Sequence, residues 1–63
     1  MTDEEFEGLA KLLDATVRIK KFKDLGDYGY QVVVNDRLED GFGYPTHEEA
    51  FNAAKNAFEK FIR

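Results

Sequence analysis

The absence of cysteine from a chain of only 63 residues limits most strongly what this sequence can fold into. Domains this short lie near the lower size limit for a hydrophobic core that is stable without cross-links. Neither disulfides nor thiolate metal sites are available here to cross-link the chain. Apolar residues make up 43% of the chain, which is too many for a disordered segment. We therefore expect one small domain over residues 1–63, with six Phe and three Tyr supplying most of its core.

Two helices are predicted at the ends of the chain, and each begins at a threonine cap. Thr2 and Glu5, like Thr46 and Glu49, have the spacing of a capping box, in which each side chain bonds a free backbone N–H. Apolar residues then recur at helical spacing. We expect the first helix over residues 3–14 and the second from His47 to about residue 62.

Three strands are predicted between the helices, over residues 16–23, 28–35 and 38–44, because β-branched and aromatic residues alternate there and turn residues separate them. Short turns favour an antiparallel meander. The predicted fold is α+β with the order α-β-β-β-α, a three-stranded antiparallel sheet and both helices packed on one face. A bulge or a strand end is also expected near residues 20–21, since Phe22 appears out of phase.

The alternation also predicts which side chains each sheet face carries. Those expected to face the helices are Val17, Ile19, Tyr30, Val32, Val34, Leu38 and Phe42. Those expected on the opposite, solvent-exposed face are Arg18, Lys20, Gln31, Val33, Arg37 and Glu39. The aromatic side chains of Tyr28, Tyr30, Phe42 and Tyr44 are interpreted as core rather than as a base-stacking platform, because nothing else is large enough to fill the core.

Two families are similar to this chain in element order and in the last helix. Gly41-Phe42-Gly43-Tyr44, then Thr46 and an alanine-rich helix, resembles the end of a double-stranded-RNA-binding domain, which implies an RNA-binding α-β-β-β-α module. The positions that are basic in that family are His47, Glu48 and Phe51 here. The segment from Thr46 to Ala50, with the alanines that follow, resembles HicB-type antitoxins, which implies a small protein-binding module.

Charge is unevenly distributed within a net charge of −4. Residues 1–15 and 24–54 are acidic, whereas residues 16–23 carry four bases and no acid. An acidic surface would complement a basic groove on a partner and speed the encounter. The alternative interpretation is ordinary solubility and helix-dipole compensation. The predicted partner-contacting residues are Asp3, Glu4, Glu7, Asp36, Glu39 and Asp40.

The basic first strand is the alternative binding site. Its four bases would bind phosphate groups of RNA or DNA if they shared one surface, or else they protect an edge strand from aggregation. These residues are Arg18, Lys20, Lys21 and Lys23.

Catalytic chemistry has little support in the composition. Serine and cysteine, the usual nucleophiles of acyl transfer, are both absent, and His47 is the single histidine. We expect no enzyme activity, no catalytic residues, no metal site and no cofactor. No apolar run is long enough for a membrane span, and the acidic first residues differ from a secretion signal, so a soluble, cytoplasmic protein is expected.

The sequence thus predicts a non-enzymatic protein-binding module, an acidic inhibitor that occupies the basic nucleic-acid-binding surface of a partner protein. It is similar in type to small phage inhibitors such as anti-CRISPR proteins, and to antitoxins. The alternative function is direct RNA or DNA binding through the basic strand. The chain is expected to be a monomer, or a homodimer whose sheets pair along an edge.

Overall fold

The polypeptide in the computed structural model, which describes residues 1–62, forms a helix, three strands and a second helix. They are α1 (Asp3–Leu12), β1 (Thr16–Phe22), β2 (Asp27–Val34), β3 (Arg37–Tyr44) and α2 (His47–Phe61). The strands form one antiparallel sheet in the order β1-β2-β3. The predicted α-β-β-β-α architecture is confirmed. Arg63 lies outside the described residues.

Both helices begin at the predicted threonines. At α1, Thr2 Oγ1 accepts a hydrogen bond from Glu5 N (3.1 Å), and the Glu5 carboxylate accepts one from Thr2 N (3.3 Å). At α2, Thr46 Oγ1 accepts from Glu49 N at 3.1 Å. These bonds satisfy backbone donors that have no partner inside the helix.

The core lies between the helices and one face of the sheet. Phe6 of α1 makes edge-to-face contacts with Phe51 and Phe58 of α2, at centroid distances of 5.4 and 5.2 Å. These rings pack on Val32 and Val34 of the central strand. The fully or nearly fully buried hydrophobic residues are Phe6, Val32, Val34, Ala50, Ala54, Ala57 and Phe58. The small alanines let α2 lie close to the sheet.

β1 is regular up to its end at Phe22, so a bulge at residues 20–21 is wrong, whereas the alternative, a strand end near these residues, agrees with the structure. Val17 pairs with Val32 and Ile19 with Tyr30, both toward the helices. Phe22 lies in phase with Arg18 and Lys20 on the opposite face, which is why it looked misplaced. The bulge is instead at Gly43 in β3, where φ is +92° and the register shifts opposite Tyr28 and Gly29.

The predicted orientation of β3 is also wrong. Leu38 pairs with Val33 and Phe42 with Gly29, so both side chains lie on the open face and are 54% and 75% exposed. Conversely, Glu39 pairs with the buried Val32 and therefore lies on the helix side.

The faces on which two further β3 residues lie follow from the same pairing with β2. Arg37 pairs with Val34, and its guanidinium lies 5.4 Å from the ring centroid of Phe61 in α2, so Arg37 is on the helix side as well. After the bulge, Tyr44 returns to the helix side and stacks on Tyr30 at 6.0 Å. Three of the four predicted core aromatics are thus half-buried on the helix side, whereas Phe42 is exposed.

Candidate functional site

The predicted acidic residues of α1 lie together at the surface. Asp3, Glu4 and Glu7 are all exposed. Asp3 is neutralised, because its Oδ1 accepts a 2.6 Å hydrogen bond from the Lys55 ammonium group of α2. This ion pair joins the two helices, so Asp3 contributes less to an attractive surface than Glu4 and Glu7 do.

The three predicted acids of the β2–β3 hairpin diverge from one another. Asp36 is in the turn, Glu39 lies on the helix side of the sheet, and Asp40 lies on the open face opposite Gln31. Consecutive residues of a strand point to opposite faces. The three predicted acids of this hairpin therefore do not share a single face of the sheet.

The predicted basic residues are divided in the same way. Arg18 and Lys20 are on the open face of β1. Lys21 is on the other face, with its Nζ 5.7 Å from the ring centroid of Tyr28, and Lys23 is in the turn after β1. A continuous phosphate-binding track would require these bases on one surface.

A groove between α1 and β1, which the sequence interpretation did not predict, has a volume of about 670 Å³. Its floor is apolar and includes the half-buried Val17, Ile19 and Phe51. Phe6, Ala10 and Ala15 also line it. The small Ala10 and Ala15 leave the space open, since larger side chains there would close the gap between helix and strand. They are the sequence signal that could have indicated the groove.

The rim of this groove is charged. Glu7 and Asp14 contribute carboxylates, and Lys11 and His47 complete the rim. The position of Asp14 follows from how α1 ends: its φ is +55°, and Ala15 N donates to Ala10 O at 2.7 Å. This is the hydrogen-bond pattern of a Schellman C-cap. Among the residues named as predicted partner contacts, only Glu7 lines the groove.

Tyr30 of the central strand lies on the helix-covered face, between Ile19 of β1 and Gly41 of β3. A Cβ added to Gly41 would lie only 3.0–3.2 Å from three ring and hydroxyl atoms of Tyr30. The pKa of Tyr30 is raised, first by burial and then by the negative charge that Tyr44, Glu39 and Asp40 place nearby. Glu39 and Asp40 thus raise the pKa of Tyr30 in addition to contributing negative charge to the surface.

Two kinds of structural feature are absent from residues 1–62. No group of three or more His, Asp or Glu side chains is arranged there to hold a metal ion. Nor is either helix in this part of the chain long and apolar enough to cross a membrane.

Comparisons with protein-family models, with curated proteins and with solved structures found no significant match. The resemblances to double-stranded-RNA-binding domains and to HicB-type antitoxins therefore stay predictions. The groove beside α1 combines an apolar floor with a charged rim.

Proposed function

We propose that this chain is a non-enzymatic protein-binding module that takes a basic and apolar segment of a partner protein into the groove between α1 and β1. The observation that carries the proposal is an apolar floor beneath the carboxylates of Glu7 and Asp14. Concave apolar recesses with a few polar groups at the rim are the usual form of binding sites.

The rim chemistry defines the partner segment. An apolar side chain would displace water from Val17, Ile19 and Phe51, while neighbouring Lys or Arg residues would approach Glu7 and Asp14. Glu4 lies one helical turn before Glu7 on α1 and extends the negative charge along the helix. The partner segment that fits this groove is therefore an apolar side chain flanked by Lys or Arg residues.

A specific form of this proposal is inhibition of a nucleic-acid-handling protein. Surfaces that bind phosphates carry Lys and Arg, and carboxylates on α1 would occupy the places of the phosphates. This is the mode expected of an anti-CRISPR-like or antitoxin-like inhibitor. The acids at positions 36, 39 and 40 have no part in the groove.

Direct nucleic-acid binding has weaker support. Of its four predicted bases only Arg18 and Lys20 share the open face, and Asp40 lies in the same row of side chains as Arg18. A carboxylate beside the bases opposes phosphate binding.

The test is selection of a random peptide library on the immobilised domain. We expect enriched peptides with an apolar residue flanked by Lys or Arg, whose affinity falls with added salt. Charge reversal of the rim, Glu7→Lys with Asp14→Lys, should weaken their binding by about tenfold or more because it replaces attraction by repulsion.

The matched control is Asp24→Lys with Asp36→Lys, which changes net charge equally at two exposed turn positions outside the groove. It should leave peptide affinity within about twofold, because long-range charge effects are screened by salt. If the rim variant binds as well as the wild type, or if the control loses binding equally, the groove is not the site and the proposal fails.

A further inference from the structure

The open face of the sheet has a definite pattern of side chains, arranged in rows across β1, β2 and β3. The row that contains Arg18 is polar, and apolar groups lie on either side of it along the strands. In order, the rows are Thr16, Val33 and Leu38; Arg18, Gln31 and Asp40; Lys20, Gly29 and Phe42; and Phe22 with Asp27. In each of the two rows that carry bases, the base is on β1.

Large apolar groups are exposed at one end of this face. Phe22, Leu25 and Phe42 line a shallow depression whose exposed surface is apolar. Phe22 and Phe42 close over Gly29, since a Cβ there would lie 2.7 Å from the Phe22 ring and 3.3 Å from Phe42 Cβ. The outer surfaces of the rings remain in water. Clusters of this kind mark interaction sites.

We propose that a second copy of this chain covers the open face. The two copies are related by a two-fold axis that runs parallel to the strands, midway between the two stacked sheets. Such an axis places β1 of one copy over β3 of the other and keeps each row opposite itself. Arg18 then faces Asp40 of the second copy, and Asp40 faces its Arg18.

The neighbouring rows match under the same operation. Lys20 faces Phe42 of the second copy, where an ammonium group and an aromatic ring attract each other. Thr16 faces Leu38, and Val33 faces Val33 on the axis. Sheets stacked this way align within about 30°, as in β-sandwiches. The charges of the Arg18 row are thus self-complementary, as an isologous interface requires, whereas Asp27 at the end of β2 faces Asp27 of the second copy.

The other two-fold arrangement is unfavourable. An axis perpendicular to the strands would place β1 over β1, so that the bases of one copy meet the bases of the other. Like charges placed together oppose association. Charge therefore selects one of the two ways of stacking these faces.

The small area of the open face limits the affinity of the dimer. Three strands about 4.8 Å apart, with a rise of about 3.3 Å per residue, give a projected area of roughly 350 Å² per copy. Two copies together would cover roughly 700 Å², which is below the range of about 1,200–2,000 Å² for stable specific complexes, so the dimer is a weak one. We expect a dimer dissociation constant of about 10–100 µM, so the dimer forms only at high concentration.

The dimer leaves the α1 grooves free, because the helices cover the opposite face of each sheet. The inference therefore goes beyond the proposed function and does not depend on it. Two outward-facing grooves would also allow one dimer to hold two partner segments.

The test exploits the reciprocal pair. Arg18→Glu and Asp40→Lys, each alone, should abolish dimers in sedimentation equilibrium at concentrations up to about 500 µM, because each creates two repulsive pairs. An equimolar mixture of the two variants should dimerise, since the new carboxylate at position 18 of one chain then meets the new ammonium group at position 40 of the other. The double variant should self-associate for the same reason. Phe42→Ser, at an exposed position, should also yield monomers.

Several results would overturn the inference. A wild-type monomer at about 500 µM would do so, as would single variants that still dimerise, which would point to pairing along a sheet edge. Single variants whose mixture stays monomeric would rule out the reciprocal pair. A wild-type monomer that binds short RNA through Arg18 would assign the open face to nucleic acid. Circular dichroism of each variant establishes that it is folded.

Discussion

At the scale of single residues, the β2–β3 turn shows how backbone conformation and side-chain identity disagree. Val34 pairs with Arg37, and the two residues between them, Asn35 and Asp36, have φ values of +49° and +68°. Two left-handed residues in a two-residue loop make a type I′ turn, for which Asn-Gly is the favoured sequence. Asp36 therefore occupies a position at which glycine would be less strained.

Asp36→Gly should raise the free energy of unfolding by about 0.5–1 kcal/mol because it removes the steric cost of a left-handed Asp. Urea denaturation followed by circular dichroism measures the change. Asp24→Gly is the control, since Asp24 is an exposed turn residue without a positive φ and should lose stability slightly. Equal effects of both substitutions would contradict the interpretation.

Tyr30 gives the molecule a dependence on alkaline pH. Because burial and nearby negative charge raise its pKa in the folded state above its ordinary value of 10.0, the folded protein retains the proton that the unfolded chain releases. The unfolded state therefore binds fewer protons in this range, and stability decreases as pH rises above 10. Below that pH the group is protonated in both states and contributes no pH dependence.

Tyr30→Phe should lose less stability than the wild type between about pH 9 and 11, because it lacks this ionisation. Urea midpoints measured across that range provide the comparison. A variant whose midpoint falls as steeply as that of the wild type would show that another group causes the alkaline loss.

At the scale of elements, the sequence predicted what local chemistry determines and failed where packing decides. The threonine caps marked the start of both helices, and the alternation in β2 marked its buried face. In β3 the alternation was ambiguous, since Gly41 and Gly43 carry no side chain to indicate a face. Leu38 and Phe42 were assigned inward on hydrophobicity alone, although the pairing with β2 places them outward.

Gly29 connects this element-scale packing to stability. Gly29→Ala should lower the free energy of unfolding by about 1–3 kcal/mol, because its Cβ would lie 2.8 Å from the backbone oxygen of Gly41 as well as against Phe22. The same substitution at Gly8 of α1 is the matched control. Nothing lies within 4 Å of a Cβ there, so Gly8→Ala should stabilise the helix by about 0.5–1 kcal/mol.

Thermal unfolding monitored by circular dichroism is sufficient to compare the two glycine variants. Opposite signs of the change are expected, since one glycine is enclosed by backbone and side chains and the other is open to solvent. A neutral or stabilising Gly29→Ala would mean that the open face is looser than its close contacts imply.

At the scale of the whole molecule, the groove and the open face depend on how elements are arranged, which one sequence does not reveal. The groove exists because α1 contacts α2 through Phe6 and the Asp3–Lys55 ion pair while leaving space beside β1. From the sequence alone, the acids of its rim are interpreted as part of an acidic surface, and the residues of its floor are interpreted as core. Only the placement of α1 combines them into one recess.

Phe6 determines whether that arrangement exists at all. It is buried against Phe51 and Phe58, and it is the only fully buried residue of α1 within residues 1–62. Phe6→Ala should cost about 3–5 kcal/mol, which approaches the total stability of a domain this small. We therefore expect this variant to be largely unfolded, with weak dispersion in its proton NMR spectrum. Leu12→Ala on the same helix, at a side chain 78% exposed, should leave the spectrum native. A folded Phe6→Ala protein would mean that α2 and the sheet hold together without α1.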